Sequence, residues 1–229
     1  MLHITLLKKT IGSFSLFIDS LQIQSPGIYG FIGPNGCGKS TFAKMLCGIL
    51  QPDSGELGIS LDTCGITMIT QKPYIMDDTV FNNLSYPLRL RDMKNIESIC
   101  DEYLAKAGFL ARKNQQARGL SGGEKQKLAL LRAMIFRPRL VILDEAMTDL
   151  DLDSLDMFEG MVLERQREDP IIWIIISHQL PHIKLLCGYI FFLANGRLEA
   201  EGPAEELLRS ENIMVRRYLK HEVLEFAES

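Results

Sequence analysis

The chain has 229 residues, a length that buries a sizeable core and suits one large domain or two small ones. Its 46% hydrophobic and 24% charged residues are those of an ordinary soluble globular protein, and the formal net charge of −4 gives no support to broad nucleic-acid binding. No apolar run approaches the roughly 20 residues of a membrane-spanning helix, the N-terminus lacks a secretion-signal pattern, and five scattered cysteines (Cys37, Cys47, Cys64, Cys100, Cys187) read as reduced cytosolic thiols.

In chain order, residues 2–24 carry short β-type runs, Ile4 and Leu6 and then Phe14, Leu16 and Ile18, divided at Lys8-Lys9-Thr10 and Gly12. Pro26-Gly27 turns the chain into a buried strand at 28–32, and an amphipathic helix follows at 41–46. Pro52-Asp53-Ser54-Gly55 punctuates the chain before a strand at 65–70, which delivers Gln71 at its end. From about Lys72 to Phe136 the pattern is helical, with segments at 96–104 and 124–136 stopped by Arg137-Pro138. A strand at 140–143, another helix, the apolar run 171–176 and a hairpin-like stretch at 189–198 complete the core. Strands alternating with helices predict a largely parallel sheet covered on both faces.

Between the strand at 28–32 and its helix lies Gly33-Pro34-Asn35-Gly36-Cys37-Gly38-Lys39-Ser40-Thr41, which fits the phosphate-binding pattern G-x-x-x-x-G-K-[ST]. Glycines let successive N–H groups turn inward on an anion, and the following helix N-terminus favours the same charge. Lys39 supplies a cation for the β- and γ-phosphates, and the Ser40 hydroxyl suits Mg²⁺. Cys37 reads as a tolerated small residue rather than a redox sensor. Asp144 and Glu145 end an apolar strand, so they expose two carboxylates at the carboxyl edge of the sheet, one suited to Mg²⁺ and one to polarising water. Gln71 offers an amide oxygen for the same metal. His178 offers an imidazole at a strand end, with His182 nearby as a competitor. Ser121, Gly122 and Gly123 form an anion-friendly helix start.

With Leu120-Ser121-Gly122-Gly123-Glu124 followed by Leu140-Val141-Ile142-Leu143-Asp144-Glu145, the chain resembles the ATP-binding cassette family, the ATPase subunits of ABC transporters. The resemblance covers nearly the whole chain, and the motifs stand in the family's order. It implies an α/β P-loop NTPase cassette, residues 1–229 as a single ABC ATPase domain. This has a mostly parallel core sheet, an antiparallel β subdomain and a helical subdomain inserted at about 72–136. It implies ATP and Mg²⁺ as ligands, with Lys39 on the phosphates and Asp144 in the metal role beside Ser40 and Gln71. Glu145 is then the base and His178 the switch histidine. By the same resemblance Ser121, Gly122 and Gly123 contact the γ-phosphate held by the opposite subunit, so two copies close head to tail around two ATP molecules.

Motion in such a dimer acts on separate permease subunits, docked along residues 71–91 around Tyr74, Val80 and Tyr86. The chain is then cytoplasmic, peripheral on the inner face of the membrane, with an extracytoplasmic substrate-binding protein in the full system and no nucleic-acid partner. A stand-alone subunit most resembles those of importers. The stretch Gln71-Lys72-Pro73-Tyr74, Thr79-Val80-Phe81-Asn82-Asn83-Leu84 and Pro87-Leu88-Arg89 is similar to cassettes of oxyanion importers of the tungstate type. Two alternatives stay open at this point: a soluble cassette serving iron–sulfur cluster assembly or cell division, and an ATP-binding module with negligible turnover.

Three departures from the family pattern stand out. Leu150 and Asp151 keep the core of the D-loop, placing Asp151 with the nucleotide-site residues, but Ala146-Met147-Thr148-Asp149 loses the usual proline. Glu124 replaces the commoner glutamine. Thr10-Ile11 lacks the adenine-stacking aromatic, for which Phe14 is the substitute at hand.

Overall fold

The computed structural model describes residues 1–60, 65–147 and 150–227, with side chains through Lys220. Cys64 and the Thr148-Asp149 part of the D-loop turn lie outside the described residues. The chain opens with an antiparallel hairpin, β1 (Leu2–Ile11) and β2 (Phe14–Ile23), and β3 (Gly27–Ile32) then feeds helix α1 (Lys39–Leu46). After β4 (Ser54–Ile59) and β5 (Ile66–Thr70) come three helices, α2 (Val80–Arg89), α3 (Ile96–Lys106) and α4 (Gly122–Met134). The remainder alternates: β6 (Leu140–Asp144), α5 (Leu152–Glu168), β7 (Ile172–Ile176), α6 (Leu180–Leu186), β8 (Tyr189–Ala194), β9 (Arg197–Pro203), α7 (Ala204–Leu207) and α8 (Ile213–Ala227).

Among the described residues the strands form one sheet in the order β4-β1-β2-β9-β8-β3-β7-β6-β5. Strands β8, β3, β7, β6 and β5 run parallel, while β4, β1 and β2 pair antiparallel at the other end. The central strands are apolar on both faces because both are covered. Val141 and Leu143 of β6 and Trp173 and Ile175 of β7 pack with Phe158 and Val162 of α5. The alternate residues Leu140, Ile142, Ile172, Ile174 and Ile176 pack with Phe31 and with Phe42 of α1. Each such large side chain contributes about 1.5–3 kcal/mol on burial. Period-2 alternation is therefore present in space although invisible in an all-apolar run.

A separate core holds the middle helices together. Val80, Leu84 and Leu88, spaced four apart along α2, meet Cys100 and Leu104 of α3 and Leu128, Leu131 and Ile135 at α4. Thr79 caps α2 by accepting from the Asn82 N–H at 3.0 Å. The fully buried Asn83 accepts from the Met76 N–H at 2.9 Å and donates to the Met76 carbonyl at 3.1 Å, fixing the loop that precedes the helix.

Two local expectations are corrected. Strand β1 is not divided at Lys8-Lys9-Thr10: these residues pair with Phe17, Leu16 and Ser15, and the turn waits for Gly12. Polar side chains are tolerated there because an antiparallel sheet end has a wet face, and Lys9 bonds Asp53 at 2.8 Å. The Pro-Gly cluster at 52–55 is also not wholly a turn, since β4 starts inside it at Ser54 to pair with the far edge of β1.

Candidate active site

Three adjacent strands, β3, β6 and β7, end side by side and carry the site at their carboxyl edge. The phosphate loop leaves β3 through Gly33, whose φ is 144° and where a Cβ would stand 1.9 Å from the Leu193 carbonyl oxygen. Gly38, at φ 109°, starts α1, and a Cβ there would meet Leu16 at 2.9 Å and the Phe14 ring at 3.0 Å. Only glycine fits either place. Lys39 is nearly buried, and its ammonium donates to the Gly33 carbonyl at 2.6 Å and the Pro34 carbonyl at 3.1 Å. The charge is thus held inside the loop by neutral acceptors, which a phosphate would replace with stronger, charge-assisted bonds. Cys37 is buried in the loop, and burial pushes its thiol up, with Lys39 partly opposing.

Asp144, the last residue of β6, accepts from the Ser40 hydroxyl at 3.0 Å. Burial pushes its carboxyl up, opposed by the Ser40 hydrogen bond and by Lys39 and Lys44. A buried carboxylate bonded to a hydroxyl beside a phosphate loop suits Mg²⁺, which takes one or two protein oxygens and fills its remaining positions with phosphate and water. Among the described residues no group of three or more His, Cys, Asp or Glu side chains forms a closed metal cage.

Glu145 has φ 55°, an uncommon conformation for a residue with a side chain. Its N–H donates to the Ile176 carbonyl at 2.9 Å, so the ladder continues while the backbone turns. The turn sends consecutive acids to different partners: Asp144 to Ser40, Glu145 Oε2 to within 2.8 Å of His178 Nδ1. His178 arrives two residues past Ile176, the ladder partner of Asp144. His182 pairs instead with Glu159 of α5 at 2.9 Å, so the competition between the two histidines is resolved by which carboxylate each meets.

A cleft of about 200 Å³ lies over these groups, walled by Asn35, Gly36 and residues 38–41 of the loop, by Asp144 and Glu145, and by Phe14. Thr10 and Ile11 are not in its wall. Gln71 follows Thr70, the β5 partner of Asp144, but its side chain is exposed and outside the cleft wall. Ser121, Gly122 and Gly123 also stand outside it, at the start of α4. There Ser121 accepts from the Glu124 N–H at 3.2 Å and Glu124 accepts from the Ser121 N–H at 2.9 Å. Those bonds, with an ion pair to Arg112, hold the Glu124 carboxyl below the usual range. The acid thereby closes the capping box that the commoner glutamine would close. Asp151 caps α5 by accepting from the Ser154 N–H at 2.8 Å and likewise lies outside the cleft wall. Gln126, which sequence reasoning passed over, is buried two residues beyond Glu124 and donates to the Ala146 carbonyl beside Glu145. Only its position four residues past Gly122, one turn along the same helix, could have drawn attention to it.

Residues 17–148, more than half of the chain, match the family model described as ABC transporter. The chain belongs to the ABC transporter family. As an ABC ATPase it is the ATP-hydrolysing subunit of a transporter and works with ATP and Mg²⁺. It is 35% identical over 205 residues to the tungstate uptake system ATP-binding protein TupC of Peptoclostridium acidaminophilum, covering 86% of this chain and 96% of that protein. It is 28% identical over 225 residues to the molybdate/tungstate import ATP-binding protein WtpC of Archaeoglobus fulgidus, covering 93% and 91%. Among solved structures, the ATP-binding subunit of an ABC transporter matches with a TM-score of 0.84 at 19% identity, over 97% of this chain and 99% of that one. A dimeric ATP-binding cassette in a post-hydrolysis state, bound to ADP and phosphate, matches with a TM-score of 0.78 at 22% identity, over 89% and 99%. These likenesses establish the P-loop NTPase fold of ABC cassettes. No helix of the described residues of this ABC ATPase is long and apolar enough to cross a membrane.

Proposed function

We propose that this ABC ATPase drives import of a tungstate-type oxyanion through separate permease subunits. The observation that carries the reading is its 35% identity to a tungstate uptake ATPase along 96% of that protein's length. The relatives favour a transporter over a soluble assembly or division factor. In this reading the chain acts from the cytoplasmic face, and a binding protein outside the membrane delivers cargo. Residues 1–229 act as one ABC ATPase domain, in which the helical stretch at about 72–136 moves against the sheet.

The docking surface proposed for the permease is a groove of about 400 Å³ between β5 and helices α2 and α4, lined by Met68, Tyr86, Leu90 and Phe136 among others, whereas Val80, expected among the contacts, is fully buried in the core of these helices and takes no part. Tyr74, 77% exposed, and Leu90, 63% exposed, border it as anchors for a short amphipathic segment.

Within the site Lys39 leaves the Gly33 and Pro34 carbonyls for the terminal phosphates, and the N–H groups at the start of α1 bind the same oxygens. Ser40 and Asp144, with Gln71 moving in, would hold Mg²⁺, which when bound supplies neutralising charge to the phosphates. Glu145 accepts the proton of the attacking water, and His178 holds that carboxylate in place through Nδ1. Ser121, Gly122 and Gly123 complete the site of a second, identical subunit, with Asp151 at the same interface. This accounts for their standing outside the cleft of their own chain.

The test is affinity purification of the Glu145→Gln protein from gently solubilised membranes with ATP present. The expected result is a multi-span permease together with a binding protein that takes up tungstate. Soluble scaffold or division proteins alone, recovered with a closed ATP-loaded dimer, would overturn the transporter reading.

A further inference from the structure

Gln126 sits on α4, the helix that begins with Ser121, Gly122 and Gly123, and is 2% exposed. Its Nε2 donates to the Ala146 carbonyl and lies 3.5 Å from the Thr70 carbonyl. Ala146 follows Glu145 and Thr70 precedes Gln71. One amide therefore reaches the two loops that carry the metal-side glutamine and the base. Its Oε1 has no hydrogen-bond partner among the described residues. An unpaired buried acceptor is destabilising, so an apolar side chain would serve better as filler. What an apolar residue cannot supply is the donor.

We propose that Gln126 is a positioning residue that fixes the backbone beside Glu145 to helix α4. Glu145 is then held from both sides, its own N–H on the Ile176 carbonyl at 2.9 Å and its neighbour's carbonyl on Gln126. This matters because its φ of 55° leaves the turn dependent on its surroundings. Helix α4 is one continuous helix from Gly122 to Met134. In the dimer reading above, on which this step rests, its N-terminus touches the nucleotide of the other subunit. Occupancy of one site is thereby transmitted along α4 to the base of the other, over a distance of about 7.5 Å from Ser121 to Gln126.

Three readings are taken on the full-length chain: kcat, ATP affinity and the pH profile. Gln126→Met keeps the shape and loses the donor. Its kcat is expected to fall about tenfold while ATP affinity changes less than twofold. Gln126→Glu places a carboxyl against two carbonyl oxygens, where burial favours its neutral, donating form. Its activity is expected to recover as pH drops from 8 toward 6, relative to the unsubstituted chain, whereas Gln126→Met shows no such recovery. A Gln126→Met protein with unaltered kcat would overturn the proposal, as would equal losses of affinity and turnover in both variants with no pH recovery. Should Gln126→Met fail to fold, the pH profile of Gln126→Glu decides. ATP-dependent dimerisation of Glu145→Gln, measured in parallel, separates the two readings. A monomer there removes the step between subunits and leaves the anchoring of Glu145 to be judged on kcat and pH alone.

Discussion

At the scale of single residues, the phosphate loop buries its own thiol and ammonium. Cys37 lies in the phosphate loop but is buried, and burial pushes its thiol up. N-ethylmaleimide at pH 7.5 is expected to label it much more slowly than an exposed cysteine, and ATP to slow labelling further. Rapid modification, unaffected by nucleotide, would contradict the packing seen here. Phe14 is the aromatic in the cleft wall. Phe14→Ala is expected to weaken ATP binding about tenfold, within the range of about 1–3 kcal/mol for a base stacked on an aromatic ring, as measured by equilibrium titration. Asp144 gives a pH prediction with a definite sign. Its folded carboxyl is raised above the ordinary 3.8, chiefly by burial, so the native state holds its proton longer than the unfolded chain. Stability contributed at this position therefore declines as pH rises from about the ordinary value through the raised one. Nucleotide-free Asp144→Asn should melt higher than the unsubstituted chain at pH 7, with the gap closing in acid, while its Mg²⁺-dependent ATP binding falls.

At the scale of elements, legibility tracked the geometry of each segment. The strand ends that place Gln71, Asp144 and His178 were readable because apolar runs stop abruptly at polar residues, and the loop at 33–41 because its glycine spacing has few other uses. Continuity of β1 through Lys8-Lys9-Thr10 was not readable, since a strand with one wet face accepts lysines that elsewhere signal a turn. Helix α8 escaped because its apolar spacing competes with a strongly charged background, although Val215 and Tyr218 reach the core. The meeting of Glu145 with His178, and of Gln126 with Ala146, spans separations that no local pattern records. The small core around α2 to α4 yields its own test. Asn83→Ala removes the bonds that hold Met76, costing about 1–3 kcal/mol. It is expected to weaken stimulation of ATPase activity by the permease while basal turnover stays within twofold, as read by comparing free and membrane-assembled protein.

At the scale of the whole molecule, β3 is flanked by β7 and β8, strands contributed by residues 172–176 and 189–194. The Leu193 carbonyl backs the first glycine of the loop, so the phosphate site is walled by a segment about 160 positions further along the chain. During synthesis the loop is made early but is expected to take its shape only once β7 and β8 have emerged. ATP is therefore expected to be a late arrival that captures the finished fold, not a scaffold around which it grows. Ribosome-bound chains halted at residue 136 should not retain a nucleotide photolabel, and chains long enough to expose residue 194 should. A subunit interrupted in translation would then consume no ATP, which spares the cell a futile ATPase.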